Sequence, residues 1–389
     1  MPDRTTGHYI TGSLAGSRYQ AFVPDPLPPR PPLDYALQDL VARKERADQA
    51  LGRLDGITLM LPDPELFLYQ YVRKEALLSS QIEGTQSSLS DLLLYELDEA
   101  PGVPADDTEE VSNYVAALNH ALRRLREDDF PLSLRLLRET HAFLLRGGRG
   151  AGKLPGEFRP GQVWVGGATP ALAHFVPPPP DALPDLLAAL ERFLHVPSSE
   201  MPPLVKAALA HVQFETIHPF SDGNGRLGRL LIALVLCNEG VLREPSLYLS
   251  LYFKRRRADY YEHLNRVRTH GDWEGWLGFF LDGVAETAQQ AVDTAQRLLA
   301  LLARDRARIA GLGKRAGNVG LVFEQFARRV ASNVPHLVPH VPLSAPTLRA
   351  AIAALQELEI LNEVTGQRRH RVYAYQAYLD ILSEGAQPL

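Results

Sequence analysis

The sequence predicts a mainly α-helical protein that carries a small β-hairpin flap and ends in a winged-helix module. Apolar residues recur at three- and four-residue spacing over residues 33–145 and again over 181–308, which is typical of amphipathic helices. Between these regions, residues 147–180 are rich in glycine and proline and contain short alternating runs, which favours a hairpin. After residue 317 the pattern runs helix, turn, helix and two strands, the order of a winged helix.

The composition excludes membrane, secreted and fibrous proteins. Of the 389 residues, 45% are apolar and 22% are charged, which is ample for a buried core. Cys237 is the only cysteine, so the chain has no intrachain disulfide and suits a reducing compartment. No apolar run approaches the ~20 residues that span a bilayer, and residues 1–7 lack the order of a signal peptide. We therefore expect a cytoplasmic protein with no membrane partner.

Four segments follow from these patterns along the chain. Residues 1–33 are a proline-rich arm, residues 34–130 an N-terminal helical region, residues 131–300 the core, and residues 301–389 a linker helix with the winged helix. The arm ends in six closely spaced prolines, so we expect an irregular, extended segment that packs on the body or stays mobile. The last segment has eleven Lys and Arg against seven Asp and Glu, which indicates an acidic partner.

The elements that matter for function can be placed approximately. We expect a helix that starts at about Pro64 and ends within residues 79–84, and a flap made of 163–165 and 174–176. We also expect helices over 186–194 and 204–217 and a further helix from about Asn224. In the last segment we expect helices over 322–330 and 346–358, and then two strands that flank a basic tip containing Arg368, Arg369 and Arg371.

The most informative stretch is residues 218–229, with the sequence His-Pro-Phe-Ser-Asp-Gly-Asn-Gly-Arg-Leu-Gly-Arg. Its Gly-Asn-Gly run, 223–225, falls at the start of a helix, where free N–H groups and the helix dipole bind anions. Arg226 and Arg229 lie three residues apart and share a helix face. Because cations are unfavourable at a helix N-terminus unless an anion is present, the two arginines predict a polyphosphate ligand.

Two further residues of this stretch suit chemistry on such a ligand. His218 lies just before the loop, and an imidazole is the natural general base for a hydroxyl at neutral pH. Asp222 supplies one hard oxygen, which is what Mg²⁺ needs when phosphates provide most of its ligands. We interpret His141 and His211, which lie in apolar helices, as packing or capping residues.

The stretch resembles the His-Pro-Phe-x-[Asp/Glu]-Gly-Asn-Gly-Arg-x-x-Arg signature of the Fic (Fido-fold) family of protein AMP-transferases. The resemblance covers roughly residues 35–300 and extends to the winged-helix tail. Residues 158–167 resemble the family's flap, which aligns a target segment as an added strand. Gly225 stands where the kinase-like members carry lysine, so the resemblance implies AMP transfer.

The resemblance implies a role for each matching residue. His218 is then the catalytic base, Asp222 the Mg²⁺ ligand, and the flap residues that dock the target are Gln162, Val163, Trp164 and Val165. The implied nucleotide-binding residues are Glu83, Val163, Val165, Gly223, Asn224, Gly225, Arg226, Arg229, Tyr260 and Tyr261, with the two tyrosines on the adenine side.

A second element resembles the family's inhibitory helix, [Ser/Thr]-x-x-x-Glu-[Gly/Asn]. Ser79 and Glu83 are four residues apart at the end of a helical run and so share one face, and Gly84 is a plausible helix cap. On this resemblance Glu83 pairs with Arg229 and blocks a productive pose of the γ-phosphate. Its position ahead of the core is that of the N-terminally inhibited class.

The sequence therefore predicts an autoinhibited protein adenylyltransferase that uses ATP and Mg²⁺ to modify a protein hydroxyl, on another protein or on itself. Two alternatives stay open. The same site could remove AMP, with Glu83 orienting a water molecule, or the chain could be a nucleotide-sensing regulator that binds DNA through its basic tip. The sequence also leaves open a homodimer, the identity of the target and what relieves the inhibition.

Overall fold

The computed structural model describes residues 4–14, 16–34, 37–60, 64–95, 97, 105–147 and 150–388. Within these residues the chain forms fifteen α-helices and five short β-strands, so the mainly helical class is confirmed. The strands are β1 (Gly7–Leu14), β2 (Ser17–Pro24), β3 (Ala331–Asn333), β4 (Asn362–Glu363) and β5 (Val372–Ala374). The helices are α1 (Gln38–Met60), α2 (Pro64–Ile82), α3 (Leu89–Tyr95), α4 (Ala105–Arg126), α5 (Leu134–Leu144), α6 (Leu183–Leu194), α7 (Pro203–Ile217), α8 (Asn224–Asn238), α9 (Ser250–Arg255), α10 (Arg257–His270), α11 (Trp273–Ala310), α12 (Ala316–Arg329), α13 (Val334–Leu337), α14 (Ala345–Glu357) and α15 (Gln376–Ser383).

The N-terminal arm contains a β-hairpin, and the expectation that residues 1–33 are irregular is wrong for this part. β1 pairs antiparallel with β2 in a register that runs from Gly7 opposite Pro24 to Leu14 opposite Ser17. Gly16 has a φ of +82° in the turn, a conformation that glycine adopts without steric cost. The aromatic and β-branched residues of β1 were a usable strand signal, which the closely spaced prolines downstream obscured.

The hairpin and the proline run are fixed to the helical body. Arg4 makes a bidentate ion pair with Glu274, with 2.7 Å between the nitrogen and oxygen atoms of each contact, and also donates to the carbonyls of Pro31 and Pro32. The Phe22 N–H donates to the Val176 carbonyl at 2.9 Å. The arm therefore packs on the body, as one of the two sequence-based alternatives states.

Replacing Arg4 by alanine is expected to lower the free energy of unfolding by about 3 kcal/mol, because it leaves the nearly buried Glu274 carboxylate without its partner. Denaturant titration of the two proteins measures this difference. Arg18 is an exposed arginine of the same hairpin, so its replacement by alanine is the matched control and should change stability by less than about 0.5 kcal/mol. Equal effects of the two substitutions would show that the ion pair does not stabilise the arm.

Helices α7 and α8 form the centre of the core and carry the residues of the 218–229 stretch. Both are apolar over most of their circumference, and nearly all their side chains are buried. The Trp276 indole of α11 donates to the Ala208 carbonyl of α7 at 2.9 Å, which fixes these two helices together. The loop that joins α7 to α8 therefore projects from a rigid, apolar pair.

The flap is less regular than the sequence predicts. Segments 163–165 and 174–176 approach each other, but a single bridge, between Val165 and Phe175, replaces the expected two-stranded ladder. Gly166 and Gly167 both have φ values near +70° and reverse the chain before a short 3₁₀ turn at Pro170–Leu172. A glycine-rich segment has few side chains to support cross-strand pairing, so the pairing is limited to this bridge.

The C-terminal residues have the element order that the sequence predicts for a winged helix. α12, β3, α13 and α14 are followed by β4 and β5, and the sheet order is β3-β5-β4. The Ser344 hydroxyl caps α14 by accepting a hydrogen bond from the Thr347 N–H. The expected boundary at residue 300 falls inside α11, which runs unbroken from the core into this module. None of the described helices combines the length and the apolar character that crossing a membrane requires.

Candidate active site

His218 ends α7 in a left-handed conformation, with φ of +50° and ψ of 61°. This conformation is uncommon for a residue with a side chain and must be held by its surroundings. Arg159, which is almost completely buried, supplies that support by donating from Nε to the His218 carbonyl at 2.8 Å. The Arg159 N–H also donates to the Pro219 carbonyl at 2.9 Å. The sequence analysis did not assign Arg159 this role.

The imidazole of His218 is neutral at physiological pH. Burial lowers its pKa to about 4, and the neighbouring Arg159 and Arg268 act in the same direction. His218 Nδ1 lies 3.3 Å from the Glu215 carbonyl, which can only accept, so Nδ1 carries the proton. Nε2 is then the unprotonated nitrogen, which makes it available to accept a proton from a hydroxyl.

The loop after His218 is closed by Asn224. Its side chain bonds both to the N–H and to the carbonyl of Phe220, each at 2.9 Å. Phe220 stacks on His141 with ring centroids 3.7 Å apart, and His141 Nε2 lies 3.0 Å from the Asp222 carbonyl. His141 therefore packs against the loop, as expected, and also bonds to it. The loop presents the first-turn N–H groups of α8, which have no partner within the helix.

The two arginines of α8 are buried and already paired. Arg226 Nη1 donates to Glu110 of α4 at 3.1 Å. Arg229 donates from Nε to the Ser79 hydroxyl at 2.9 Å, and from Nη2 to the Ser79 carbonyl at 3.0 Å and to Glu83 Oε1 at 2.7 Å. The end of α2 thus occupies the guanidinium of Arg229, and the structure contains the Glu83–Arg229 pair that the resemblance implies.

Glu83 also lies against the Gly-Asn-Gly run. A Cβ atom at Gly225 would be 2.2 Å from Glu83 Oε1, so only glycine lets the carboxylate approach this closely. Desolvation raises the pKa of Glu83, but the charge and hydrogen bond of Arg229 outweigh it and hold the pKa below its ordinary value. The carboxylate is therefore ionised, and it lies where an anion would meet the N-terminus of α8. Gly84, with a φ of +105°, is the second residue after α2 ends at Ile82, the position that a capping glycine takes.

The flap residues lie beside the loop with different exposures. Gln162 donates from Nε2 to the carbonyls of Val163 and Pro177, each at 2.9 Å, which fixes the start of the flap. Val163 and Trp164 are half-buried, whereas Val165 is exposed. The segment 163–165 therefore lies at the surface, with the N–H and carbonyl of Val165 bonded to the 174–175 backbone.

Of the two expected adenine-side tyrosines, only Tyr261 presents its ring to solvent. Tyr260 is buried, and its hydroxyl lies 2.8 Å from Nε2 of His211, a further buried histidine that packs as expected. The rings of Tyr260 and Tyr261 are 5.1 Å apart, and both tyrosines are electrostatically coupled to Arg229 and Glu83. Tyr260 thus supports Tyr261 from the core side.

Three charged residues near the site carried no sequence signal. Glu110 pairs with Arg226, as described above. Glu215 packs against α8, where a Cβ at Gly228 would be 2.3 Å from its buried Oε1, and desolvation raises its pKa to about 7. The Arg268 guanidinium lies 4.0 Å from the centre of the Phe175 ring, next to the flap. These three residues could be assigned to the site of His218 only from the fold, which brings their helices together around it.

Asp222 is the carboxylate that fits a magnesium ion. Its Oδ1 accepts a hydrogen bond from the Gly223 N–H at 2.7 Å, and its side chain is 44% exposed. Among the described residues no group of three or more His, Cys, Asp and Glu side chains could hold a metal ion. A single exposed carboxylate suits Mg²⁺ that takes its other ligands from phosphates and water.

The basic tip lies on the wing, residues 364–371, between β4 and β5. Arg368, Arg369 and Arg371 are all exposed. Arg371 donates from Nε to the Gln367 carbonyl at 3.0 Å, which curls the tip. These arginines belong to the C-terminal module, not to the α7–α8 loop.

Comparisons with known proteins match two stretches of this chain to one family, and the second stretch contains the α7–α8 loop. Residues 41–123 match the Fic/DOC family N-terminal domain, and residues 131–236 match the Fic/DOC family. The protein adenylyltransferase Fic of Drosophila ananassae is 39% identical over 133 residues, which cover 34% of this chain and 24% of the relative. That of Aedes aegypti is 32% identical over 254 residues, 63% of this chain and 46% of the relative. The chain thus spans less than half the length of these curated relatives.

Two solved structures share the fold. A Fic family protein from Desulfovibrio desulfuricans has a TM-score of 0.59 at 22% identity, covering 87% of this chain and 96% of that one. Fic-1 from C. elegans has a TM-score of 0.51 at 24% identity, covering 67% of this chain and 74% of that one. At these sequence identities the similarity shows a shared fold alone.

Proposed function

Because this chain belongs to the Fic/DOC family, we propose that it is a protein adenylyltransferase that moves AMP from ATP to a serine, threonine or tyrosine hydroxyl, under restraint by Glu83. The observation that carries the proposal is the α7–α8 loop. There, a neutral His218 stands beside a helix N-terminus that carries two buried arginines. This arrangement provides a base for a hydroxyl and a site for a polyphosphate side by side.

The reaction follows from these positions. His218 Nε2 takes the proton of the target hydroxyl while the oxygen attacks the α-phosphorus of ATP. The bond between the α-phosphorus and the bridging oxygen breaks, and pyrophosphate leaves with the bonding electrons. The first-turn N–H groups of α8, with Arg226 and Arg229, hold the phosphates and the charge that develops on them. Mg²⁺ held by Asp222 and the phosphates would neutralise part of that charge.

The flap and the tyrosines supply positioning. The exposed edge 163–165 is available to a target segment in extended conformation, which would add to it as a strand. Tyr261, backed by Tyr260, offers a ring on which the adenine can stack. The flap thus brings the hydroxyl, and the tyrosines the nucleotide, to the same loop.

The restraint acts through Arg229. While Glu83 and Ser79 occupy its donors, the guanidinium cannot grip the γ-phosphate, and the Glu83 carboxylate repels an anion at Gly225. ATP then binds in a pose that does not present the α-phosphorus to the hydroxyl.

The proposal is tested by labelling. Purified protein carrying Glu83→Gly, a lysate as target source, and Mg²⁺ are mixed with ATP labelled on the α-phosphate or, in parallel, on the γ-phosphate. Label from the α-position alone should enter protein. Incorporation of γ-label would mean phosphorylation, and no incorporation of either would reject a transferase.

The pH dependence of the reaction follows from His218. Because burial lowers its pKa to about 4, the base is unprotonated throughout the neutral range. We expect kcat/KM of the Glu83→Gly variant to be flat from pH 5.5 to 8 and to fall only below about pH 4, since Glu83 raises the pKa of His218 and its removal lowers that pKa further. A midpoint near the ordinary value of 6.5 in the pH profile would contradict the enclosed imidazole.

Removal of AMP is the second candidate activity, and the exposure of Glu83 favours it. Its side chain is 39% exposed although it is bonded to Arg229, so one face of the carboxylate is open to water. It could orient a water molecule for hydrolysis of a modified protein. Hydrolysis that needs Glu83 supports this activity, whereas hydrolysis that persists in Glu83→Gln excludes this role for Glu83.

We also propose that the wing is a docking element for an acidic partner, DNA being the first to test, because its three arginines are exposed. Steeply salt-dependent binding to duplex DNA, lost when these arginines are replaced by glutamine, would support this role. Without such binding, the module would dock the target protein or a second copy of the chain. The single cysteine supports a reducing location such as the cytoplasm.

A further inference from the structure

The end of the inhibitory helix α2 is held by residues close to the C-terminus. Gln81 is completely buried, and its Nε2 donates to the Ala386 carbonyl and to the Ser87 carbonyl, each at 2.9 Å. Its Oε1 accepts from the ammonium of Lys254 at 2.6 Å. Both ends of this amide are therefore satisfied, and one of its partners lies 305 residues away along the chain.

Lys254 of α9 joins the same contacts from the other side. Its side chain is buried, and its ammonium donates to the Gln387 carbonyl as well as to Gln81. In the part of the chain that the structure describes, no carboxylate lies within ion-pair distance of it. A buried ammonium is tolerated only when its hydrogen bonds are made, so Lys254 depends on Gln81 and on the C-terminal backbone.

The C-terminal segment, residues 384–388, follows the winged helix in the chain and is connected to it by α15. Only Tyr375 separates β5 from α15, and its hydroxyl bonds to Asp305 of α11. Leu379 and Leu382 bury α15 on the body. Beyond α15, Glu384 makes a bidentate pair with Arg297 of α11. The wing, α15 and the C-terminal segment thus form a continuous connection to Gln81.

Resting on the proposed function, we propose that Gln81 and Lys254 are positioning residues that, together with the C-terminal segment, hold Glu83 on Arg229. Glu83 follows Gln81 by two residues, and its N–H donates to the Ser80 carbonyl at 3.0 Å, so the two side chains move as one turn. Hydrogen bonds weaken steeply when the donor–acceptor distance grows or when the donor, hydrogen and acceptor depart from a straight line. Withdrawal of the C-terminal segment therefore loosens the contact between Glu83 and Arg229, and signals received by the winged helix control AMP transfer.

Two variants remove the segment in different ways. A chain that ends at Ser383 lacks it entirely. Gly385→Val displaces it in the full chain, because Gly385 has a φ of +77°, a backbone conformation that a β-branched residue rarely adopts. Gln387→Ala is the matched control, since it keeps the carbonyl that Lys254 uses. We expect both variants, but not the control, to raise incorporation of α-labelled AMP about tenfold.

Two readouts separate positioning from a general loss of stability. In a Glu83→Gly background, removal of the segment should add nothing to the rate, because the restraint is already gone. Amide hydrogen exchange of residues 79–85 should accelerate in both variants, while exchange in α7 and α8 stays unchanged. Lys254→Met, which keeps the apolar stem, should behave like the truncated chain.

The outcomes are decisive. An unchanged rate in both variants, with a raised rate in Glu83→Gly, overturns the inference but not the proposed function. An equal rise in the Glu83→Gly background also overturns it, since the segment then acts by another route. If Glu83→Gly transfers no AMP, the proposed function fails, and hydrogen exchange alone decides whether the segment holds α2. Unchanged exchange at 79–85 would then overturn the inference as well.

Discussion

Glu83→Gly is expected to transfer AMP about ten- to a hundredfold faster than the unmodified chain. The substitution frees one N–H of Arg229 Nη2 for the γ-phosphate, the other staying on the Ser79 carbonyl, and it removes a carboxylate from the surface of Gly225. Each tenfold restraint on the productive pose corresponds to ~1.4 kcal/mol. One carboxylate–arginine pair with a buried guanidinium can supply one or two of these tenfold restraints. Initial rates of incorporation of α-labelled AMP into protein measure the ratio.

Two control variants define the cause of this activation. Glu127 also follows directly after the last residue of a helix, α4, but it is exposed, and the arginines of α8 pair with Glu110 and Glu83 instead. Glu127→Gly should therefore leave the rate unchanged. Glu83→Gln keeps the shape of the side chain and removes its charge, so it should activate less than glycine does. Equal rates for the unmodified chain and Glu83→Gly would mean that the pair with Arg229 does not limit transfer.

His218→Ala is expected to lower AMP transfer about 10²- to 10⁴-fold, the usual contribution of a positioned general base, and to leave ATP binding nearly unchanged. The imidazole bonds to the Glu215 carbonyl, whereas Arg226 and Arg229 are held by Glu110 and Glu83, and the first turn of α8 keeps its N–H groups. Both quantities are measured in the Glu83→Gly background, transfer by label incorporation and binding by calorimetry.

His218→Asn is the companion variant, because residue 218 has a left-handed backbone that asparagine tolerates better than alanine does. If alanine abolished ATP binding and asparagine kept it, the loss would come from a distorted loop. If both abolished binding, His218 would be a structural residue of the phosphate site, and its assignment as the base would be wrong.

Much of the candidate site could be predicted because its residues are contiguous or follow helical spacing. The stretch 218–229 specifies its own loop, since the helical pattern of apolar residues ends before His218 and resumes after Gly225. Asn224 closes this loop by hydrogen bonds to Phe220, which is only four residues earlier in the sequence. The spacing of Ser79 and Glu83 likewise places both on the same side at the C-terminal end of α2. Their meeting with Arg229 was predicted from family resemblance, not from spacing.

The remainder depends on contacts that no local pattern reveals. Arg159 bonds to the His218 carbonyl 59 residues away, and Glu110 reaches Arg226 across 116 residues. A buried arginine or glutamate looks like any surface charge until the fold encloses it. The N-terminal hairpin was missed for a different reason: two short strands of an isolated pair give a weak period, and the adjacent prolines suggest an extended arm.

Helix α11 connects the core with the C-terminal module. At 38 residues it is about 57 Å long by the usual rise per residue, and it contacts α1 and α7 in the core and α12 and α15 beyond it. Each inserted residue would rotate everything after it by about 100° and carry the C-terminal segment away from Gln81. Even seven residues, which nearly restore the orientation, would shift that segment by about 10 Å along the helix axis. The length of α11 is therefore constrained residue by residue, whereas surface loops can change freely.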